Sequence, residues 1–304
     1  MANVFICATG LKGASFLSDI VRHHATIGKV FTYRQDRDAS GGYETIKSIC
    51  RDRSIAVVET HRPAHEDFAD ADLVFLVGWQ YLLPFSDPRL VVFHDSLLPR
   101  HRGFAPTVTA LLAGDEVIGV TALRPERGID TGPIIAQAEF PVQRPARIGD
   151  VLERQAGLMV DLARQIIDSQ IAGSLSARPQ DDKEATYSIW RDREDYFIDW
   201  TWSAEAIERF VHAVGYPYEG ARTVFDGQVV VVDHCAVCED VRFSIRQPGK
   251  VWAIEGDRVR VVCGQGMLSI TALRTRENTP VKIEKMRSRF RTPTDLERQN
   301  FVQT

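Results

Sequence analysis

Over the first 179 residues, apolar runs of β-forming residues alternate with stretches whose apolar positions recur at helical spacing. Val4 to Ala8 is a continuous apolar run, the pattern of a strand buried on both faces. A helix is predicted from Ala14 to His24, with Phe16, Leu17, Ile20 and Val21 on one side. Strands follow at Gly28 to Tyr33, Ser54 to Glu59, Leu73 to Val77 and Leu90 to Phe93, with a helix between the first two at Gly42 to Cys50. Pro106 to Ala113 is helical and stops at Gly114. Val117 to Leu123 and Pro133 to Phe140 read as strands, and Ile148 to Ala172 is a long amphipathic helix closed by Gly173. Strands alternating with helices predict an α/β domain on a parallel sheet, here residues 1–179.

The pattern then changes. Gln180 to Glu184 is a polar linker. Ser203 is placed to cap a short helix bearing Ile207, Phe210 and Val211. Short strands follow at Thr223 to Phe225, Val229 to Asp233, Gly249 to Ala253, Val259 to Cys263 and Met267 to Leu273, with Asp226-Gly227 as a hairpin turn. Several short strands without helices predict a small β-barrel, residues 186–273. Residues 274–304 carry eight Lys and Arg against four acids and read as a surface tail.

Composition adds limits. The 304 residues suit two domains of about 100–200 residues each. Hydrophobic residues make up 44% and charged residues 26%, as in a soluble globular protein. No apolar run approaches the roughly 18 residues of a membrane span, and the N-terminus lacks the pattern of a signal peptide. No membrane partner and a cytoplasmic location are therefore expected. A net charge of −4 argues against nucleic acid as the main partner. Cys7, Cys50, Cys235, Cys238 and Cys263 form no disulfide framework. Cys235 and Cys238 are a lone CxxC without the second pair that a zinc site needs, so no metal is expected.

Candidate chemistry gathers where the strand from Leu90 turns polar, at His94-Asp95-Ser96, before ending at Pro99. Carboxyl edges of open α/β sheets are where ligands bind. A basic loop, Arg100-His101-Arg102-Gly103-Phe104, comes next. Arg127-Gly128-Ile129-Asp130-Thr131-Gly132 is a turn-rich loop with one carboxylate. Histidine moves protons near neutrality, and a carboxylate beside it orients the ring and favours imidazolium. His94 and Asp130 form such a pair if the fold brings them together. His101 reads as a solvated or substrate-contacting residue. Gly10 and Lys12, in the first strand–helix turn, either form a tight junction or face a substrate anion. The turn lacks GxGxxG, which gives little support for a nicotinamide cofactor. Gly78 to Pro84 follows a buried strand. Its Trp79 and Leu82 either plug the sheet end or wall a pocket for a flat heterocycle.

His94-Asp95-Ser96-Leu97-Leu98-Pro99 with the Asp130 loop 36 residues on resembles the folate-dependent formyltransferase family. The His-Asp-Ser form followed by Arg-Gly-Phe looks most like its sugar N-formyltransferase branch. Pro248-Gly249-Lys250-Val251 and Cys263-Gly264-Gln265-Gly266 resemble the family's C-terminal domain. The resemblance implies a Rossmann-like parallel-sheet formyltransferase domain followed by an OB-like barrel. It implies His94 and Asp130 as catalytic residues and N10-formyltetrahydrofolate as the formyl donor. Trp79, Gln80, Tyr81, Leu82 and Leu83, with Arg127, Gly128 and Ile129, would bind that donor. Gly10, Lys12, Ser96 and Arg102 would bind the acceptor, expected to be a small molecule, an amino sugar linked to a nucleotide, with no nucleic acid. Dimers are common among the sugar enzymes, so the resemblance admits a homodimer. Two other readings stay open, methionyl-tRNA formylation and a weakly active folate- or nucleotide-sugar-binding relative. The second arises because family members carry Asn where this chain has Val92. Val92 shares a strand face with His94 and cannot donate a hydrogen bond. His94 alone or Gln80 would then have to meet the developing oxyanion.

Overall fold

A computed structural model describes residues 2–22, 26–35 and 39–303. His24, the expected end of the first helix, lies outside the described residues. The chain divides into two compact units. The first comprises Met1–Ala110, Asp115–Gln143 and Gly149–Trp190, and the second Leu111–Gly114, Arg144–Ile148 and Arg191–Thr304. No helix among the described residues is long and apolar enough to cross a membrane.

In chain order the elements up to residue 190 are β1 (Asn3–Ala8), α1 (Gly10–Ile20), β2 (Thr26–Thr32), α2 (Gly42–Asp52), β3 (Ala56–Glu59), β4 (Leu73–Val77) and β5 (Leu90–His94). They continue with β6 (Arg102–Gly103), α3 (Pro106–Ala113), β7 (Val117–Leu123), β8 (Ile134–Pro141), α4 (Ile148–Ile171) and β9 (Tyr187–Ser188). Seven strands form one sheet in the order β3-β2-β1-β4-β5-β7-β8. Pairing is parallel as far as β5. Apolar residues cover both faces. Ile6, Phe16, Phe75, Phe93, Met159 and Ile166 pack in one cluster, and Phe5, Phe31, Phe68, Leu76 and Leu90 in another. This is why β4 is buried at all five positions.

The expectation of a parallel sheet fails at one edge. β7 runs antiparallel to β5, and β8 antiparallel to β7. Only residues 124–133 join β7 to β8. A parallel return needs a crossover of about a dozen residues or more, most often a helix, so this short connection closes a hairpin.

Asp87 anchors the segment between β4 and β5. It is 4% exposed and accepts from Arg89 Nη2 at 2.6 Å and Nε at 2.9 Å. Arg89 also donates to the Phe68 and Ala71 carbonyls. Hydrogen bonding to Arg89, set against burial, brings the Asp87 carboxyl down to about 2 from 3.8. A lowered folded-state pKa stabilises the fold above the unfolded value and is lost on acidification. Asp87→Asn is thus expected to cost about 2 kcal/mol at neutral pH. In urea unfolding the gap between wild type and variant should narrow below about pH 4 and nearly close by about pH 2. An unchanged gap at low pH would contradict this.

The remaining elements are α5 (Ala204–Ala213), β10 (Ala221–Phe225), β11 (Gln228–Cys238), β12 (Val251–Glu255), β13 (Arg258–Val262), β14 (Met267–Thr275), β15 (Phe290–Arg291) and α6 (Asp295–Gln303). Six strands pair in the order β12-β13-β14-β11-β10-β15. The sheet curls until its outer strands touch, with Val251 N–H donating to Ser288 O at 3.1 Å and Phe290 N–H to Gly249 O at 2.8 Å. Ser203 Oγ caps α5 by accepting from Ala206 N–H. Cys235 is buried and Cys238 half-buried on β11.

The stretch expected to be a surface tail, residues 274–304, packs into the second unit over its described part. Phe290 is 1% exposed and stacks on Trp200 at 5.2 Å, while β15 completes the sheet against β10. Lone apolar anchors such as Ile283 and Phe290, set among charged residues, show no period in the sequence.

Candidate active site

His94 ends β5 with its side chain buried, 7% exposed. Its Nε2 lies 2.8 Å from the His101 carbonyl oxygen. A carbonyl only accepts, so Nε2 carries a proton. Nδ1 lies 3.4 Å from Asp130 Oδ2. In a neutral ring that nitrogen would turn a lone pair toward a carboxylate, so the contact favours a second proton. Burial acts the other way and is the larger effect. It lowers the imidazolium pKa, against the pull of Asp130 and the His101 carbonyl. A pair that holds its second proton this weakly can take one from an attacking amine and return it to a leaving nitrogen.

Asp130 does not reach His94 by following a strand to the carboxyl edge. In the β5–β7 register Leu123 lies opposite Val92, and Thr121 opposite His94. The 124–133 loop therefore leaves the sheet below the histidine and must double back. Asp130 takes up a left-handed backbone with φ +53°, and its Oδ2 accepts from Gly103 N–H at 2.8 Å. Gln180 Nε2 donates to the Asp130 and Gly132 carbonyls, both at 2.7 Å. Gln180 Oε1 in turn accepts from Arg102 Nε at 3.1 Å and Nη2 at 2.8 Å. Arg102 Nη2 also reaches Asp182 Oδ1 at 2.7 Å. The β6–β9 pair fixes this segment, with Phe104 N–H donating to Ser188 O at 3.1 Å.

Two residues expected to bind the acceptor turn their polar groups to partners within the protein. Arg102 is 1% exposed, and its guanidinium is engaged within the protein. Ser96 is 4% exposed and donates to the Arg100 carbonyl at 2.7 Å, closing its own loop. Gly10 has φ +65° and packs against Gly42, where any side chain would strike the Gly10 carbonyl. That turn is a helix–helix junction. Lys12, on the first turn of α1, is ion-paired with Asp95. The strand order β1-β4-β5 means that it spans the end of β4 to get there.

The loop after β4 divides its residues. Trp79 and Leu83 pack onto the sheet cluster around Phe31 and Phe68. Tyr81 and Leu82 stay exposed, Leu82 at 79%, and Gln80 is exposed as well. Tyr33 meets the Trp79 ring edge-on at 5.1 Å and that of Tyr81 at 5.4 Å. Trp79 Nε1 is buried with no hydrogen-bond partner among the described residues, so an apolar ledge carries a donor still to be satisfied. Such a ledge fits a flat heteroaromatic ligand. Arg127, Gly128 and Ile129 stand exposed along the Asp130 loop.

The sequence pattern missed Gln180, the Gly103 amide and the His101 carbonyl. Gln180 opens a run that reads as solvated linker. A side chain that bonds carbonyls about fifty positions upstream leaves no periodic trace, and main-chain groups leave none at all.

Residues 55–160 match the formyl transferase family and residues 191–291 its C-terminal domain. A methionyl-tRNA formyltransferase of Pseudomonas entomophila is 34% identical over 207 residues, 66% of this chain and 65% of that protein, just under two thirds of its length. One from Pseudomonas putida is 32% identical over 260 residues, 80% of this chain and 82% of that one. The crystal structure of WlaRD, a sugar 3N-formyl transferase, superposes with a TM-score of 0.69 over 89% of this chain and 97% of its own, at 16% identity. That likeness is one of fold. The relatives overturn the amino-sugar acceptor and, with it, the expected absence of a nucleic-acid partner. Both expectations leaned on features that the structure reads differently. Asp95 of the His-Asp-Ser motif pairs with Lys12, and the charge of −4 is a whole-chain sum. Residues 241–292 alone carry twelve Lys and Arg against four Asp and Glu.

Proposed function

The chain belongs to the formyl transferase family, and we propose that it moves a formyl group from N10-formyltetrahydrofolate to the α-amine of methionyl-tRNA. The observation that carries the chemistry is the buried His94–Asp130 contact. The amine attacks the formyl carbon, and the carbonyl electrons move onto oxygen. The His94–Asp130 pair takes the amine's proton, and N10 leaves with a proton as the carbonyl reforms. Tyr81, Leu82 and the buried Trp79 indole N–H would hold the donor's flat ring. The burial of His94, 7% exposed, limits water at the ring.

The acceptor is supported by the names of the relatives and by two surfaces. One is the basic stretch 241–292 of the second unit, whose curled sheet we read as OB-like; it includes exposed Lys250, Arg287 and Arg289. The other is an exposed aromatic pair beside Gly103. Phe104 and Trp190 are 46% and 66% exposed, with ring centroids 6.1 Å apart. Unpaired bases at the end of an acceptor arm stack on such rings.

Incubation with labelled donor and methionyl-tRNA should yield formylmethionyl-tRNA. The acceptor KM should rise steeply with salt, since phosphate neutralisation leaves that signature. No transfer to methionyl-tRNA, with transfer to another amine under the same conditions, would overturn the acceptor assignment.

A further inference from the structure

Formyl transfer places a full negative charge on the formyl oxygen, and a preorganised donor there is typically worth about 10²–10³ in rate. Val92 has no donor to offer, and His94 and Gln80, expected to act in its place, are engaged or exposed. Val92 packs with Leu98, Leu123 and Ile134. Both ring nitrogens of His94 face acceptors already, the His101 carbonyl and Asp130. Gln80 is exposed rather than held within the pocket.

Lys12 is held there. It rises from the first turn of α1, crosses the end of β4 and meets Asp95, the residue after His94. The donor-binding loop leaves that same β4 end. The Lys12 side chain, 15% exposed, thus lies beside the residue that follows His94 and on the β4 end from which this loop departs. Its charge is also felt by His94, where it opposes protonation of the ring. Asp95 is fixed from behind, its carbonyl accepting from Gln155 Nε2 at 3.0 Å. Asp95 Oδ1 is buried without a hydrogen-bond partner among the described residues, and the ion pair of this carboxylate there is with Lys12.

We infer that Lys12 is a catalytic residue whose ammonium donates a hydrogen bond to the formyl oxygen as its negative charge develops, in place of an amide at position 92. The inference rests on the formyl-transfer reading but not on the identity of the acceptor. Lys12 gives up no proton. Attack forms the bond from nitrogen to the formyl carbon and moves the carbonyl pair onto oxygen. Collapse returns that pair and breaks the bond to N10. The ammonium stabilises the state between. Burial brings the Lys12 ammonium down to about 7, and the Asp95 carboxylate against it favours the charged form.

The test uses the full chain. Lys12→Met is combined with Asp95→Asn so that no buried charge is left alone, and Val92→Asn is then added. Two rates are read, formylation of methionyl-tRNA and hydrolysis of the donor by water to formate and tetrahydrofolate, which needs no acceptor. The paired variant should lose about 10²–10³ in both, and Val92→Asn should restore tenfold or more by supplying a donor on the His94 face. Lys12→Gln alone keeps a neutral donor and should lose less than the paired variant. Rates within about threefold of wild type overturn the proposal, as does a folded paired variant that Val92→Asn fails to rescue. If the paired variant does not melt cooperatively, Lys12→Gln decides: a rate within about threefold of wild type overturns the proposal, and a clear partial loss supports it. Hydrolysis without formylation in wild type defeats the methionyl-tRNA reading and leaves Lys12 to be judged on hydrolysis. Absence of both in wild type overturns both.

Discussion

His94→Ala is expected to lower kcat for formyl transfer by about 10³-fold, within the 10²–10⁴ range of a positioned proton carrier. On the proposed reading the ring couples amine deprotonation to departure of N10, and among the described residues no second imidazole pairs with Asp130. His101 Nε2 is bound instead to Asp115 at 2.9 Å. The fold should lose little. The His101 carbonyl keeps the Ser188 hydroxyl at 3.4 Å, and Asp130 keeps the Gly103 amide. No buried acceptor is orphaned, so the stability cost should be about 1 kcal/mol. Single-turnover transfer and thermal melts on the same preparation check both halves. A variant within tenfold of wild type would remove His94 from the chemistry.

The second large effect is expected at Arg102. Arg102→Ala empties a fully buried site and takes two hydrogen bonds from Gln180 Oε1. Lost packing and an unsatisfied acceptor together should cost about 3 kcal/mol. Gln180 also holds the Asp130 and Gly132 carbonyls, so freeing it loosens the turn that brings Asp130 back to His94. A misplacement of about 1 Å can cost about 10²-fold in rate, and kcat should drop by ten- to a hundredfold in molecules that remain folded. Gln180→Ala should reproduce most of the rate loss with a smaller change in melting temperature. Lower stability with an unchanged kcat per folded molecule would make Arg102 a brace for the fold alone.

What the sequence made readable follows from how local each cause is. His94 stands where an apolar run turns polar, and β5 does end there. Ser203 caps α5 through a bond to an amide three residues on, a cause that lies within one turn of sequence. Asp130 was found from its loop, yet its route was not. The choice between a hairpin and a crossover lies in the shortness of the 124–133 connection, which the pattern within each strand does not carry. Ser96 and Arg102 have the chemistry of binding residues, and only three-dimensional packing shows that their bonds turn inward. Asp95 looked like the mark of one substrate branch, and it balances a lysine 83 positions away. The net charge misled because acidic residues elsewhere cancel a basic stretch that lies together in the second unit.

The stitching of residues 178–188 bears on how such a chain can be cut and recombined. Ile134 and Arg178 exchange main-chain hydrogen bonds at 2.7 and 2.8 Å, Gln180 supports the Asp130 turn, and Tyr187–Ser188 pairs with Arg102–Gly103. The composition suggests a seam at Pro179, but a fragment ending there would leave behind the supports of the Asp130 turn. The last segment of the first unit runs on to Trp190. A graft that gives the first unit a foreign partner, or a protease used to release it, preserves the proton-carrying pair only if the apparent linker travels with the sheet.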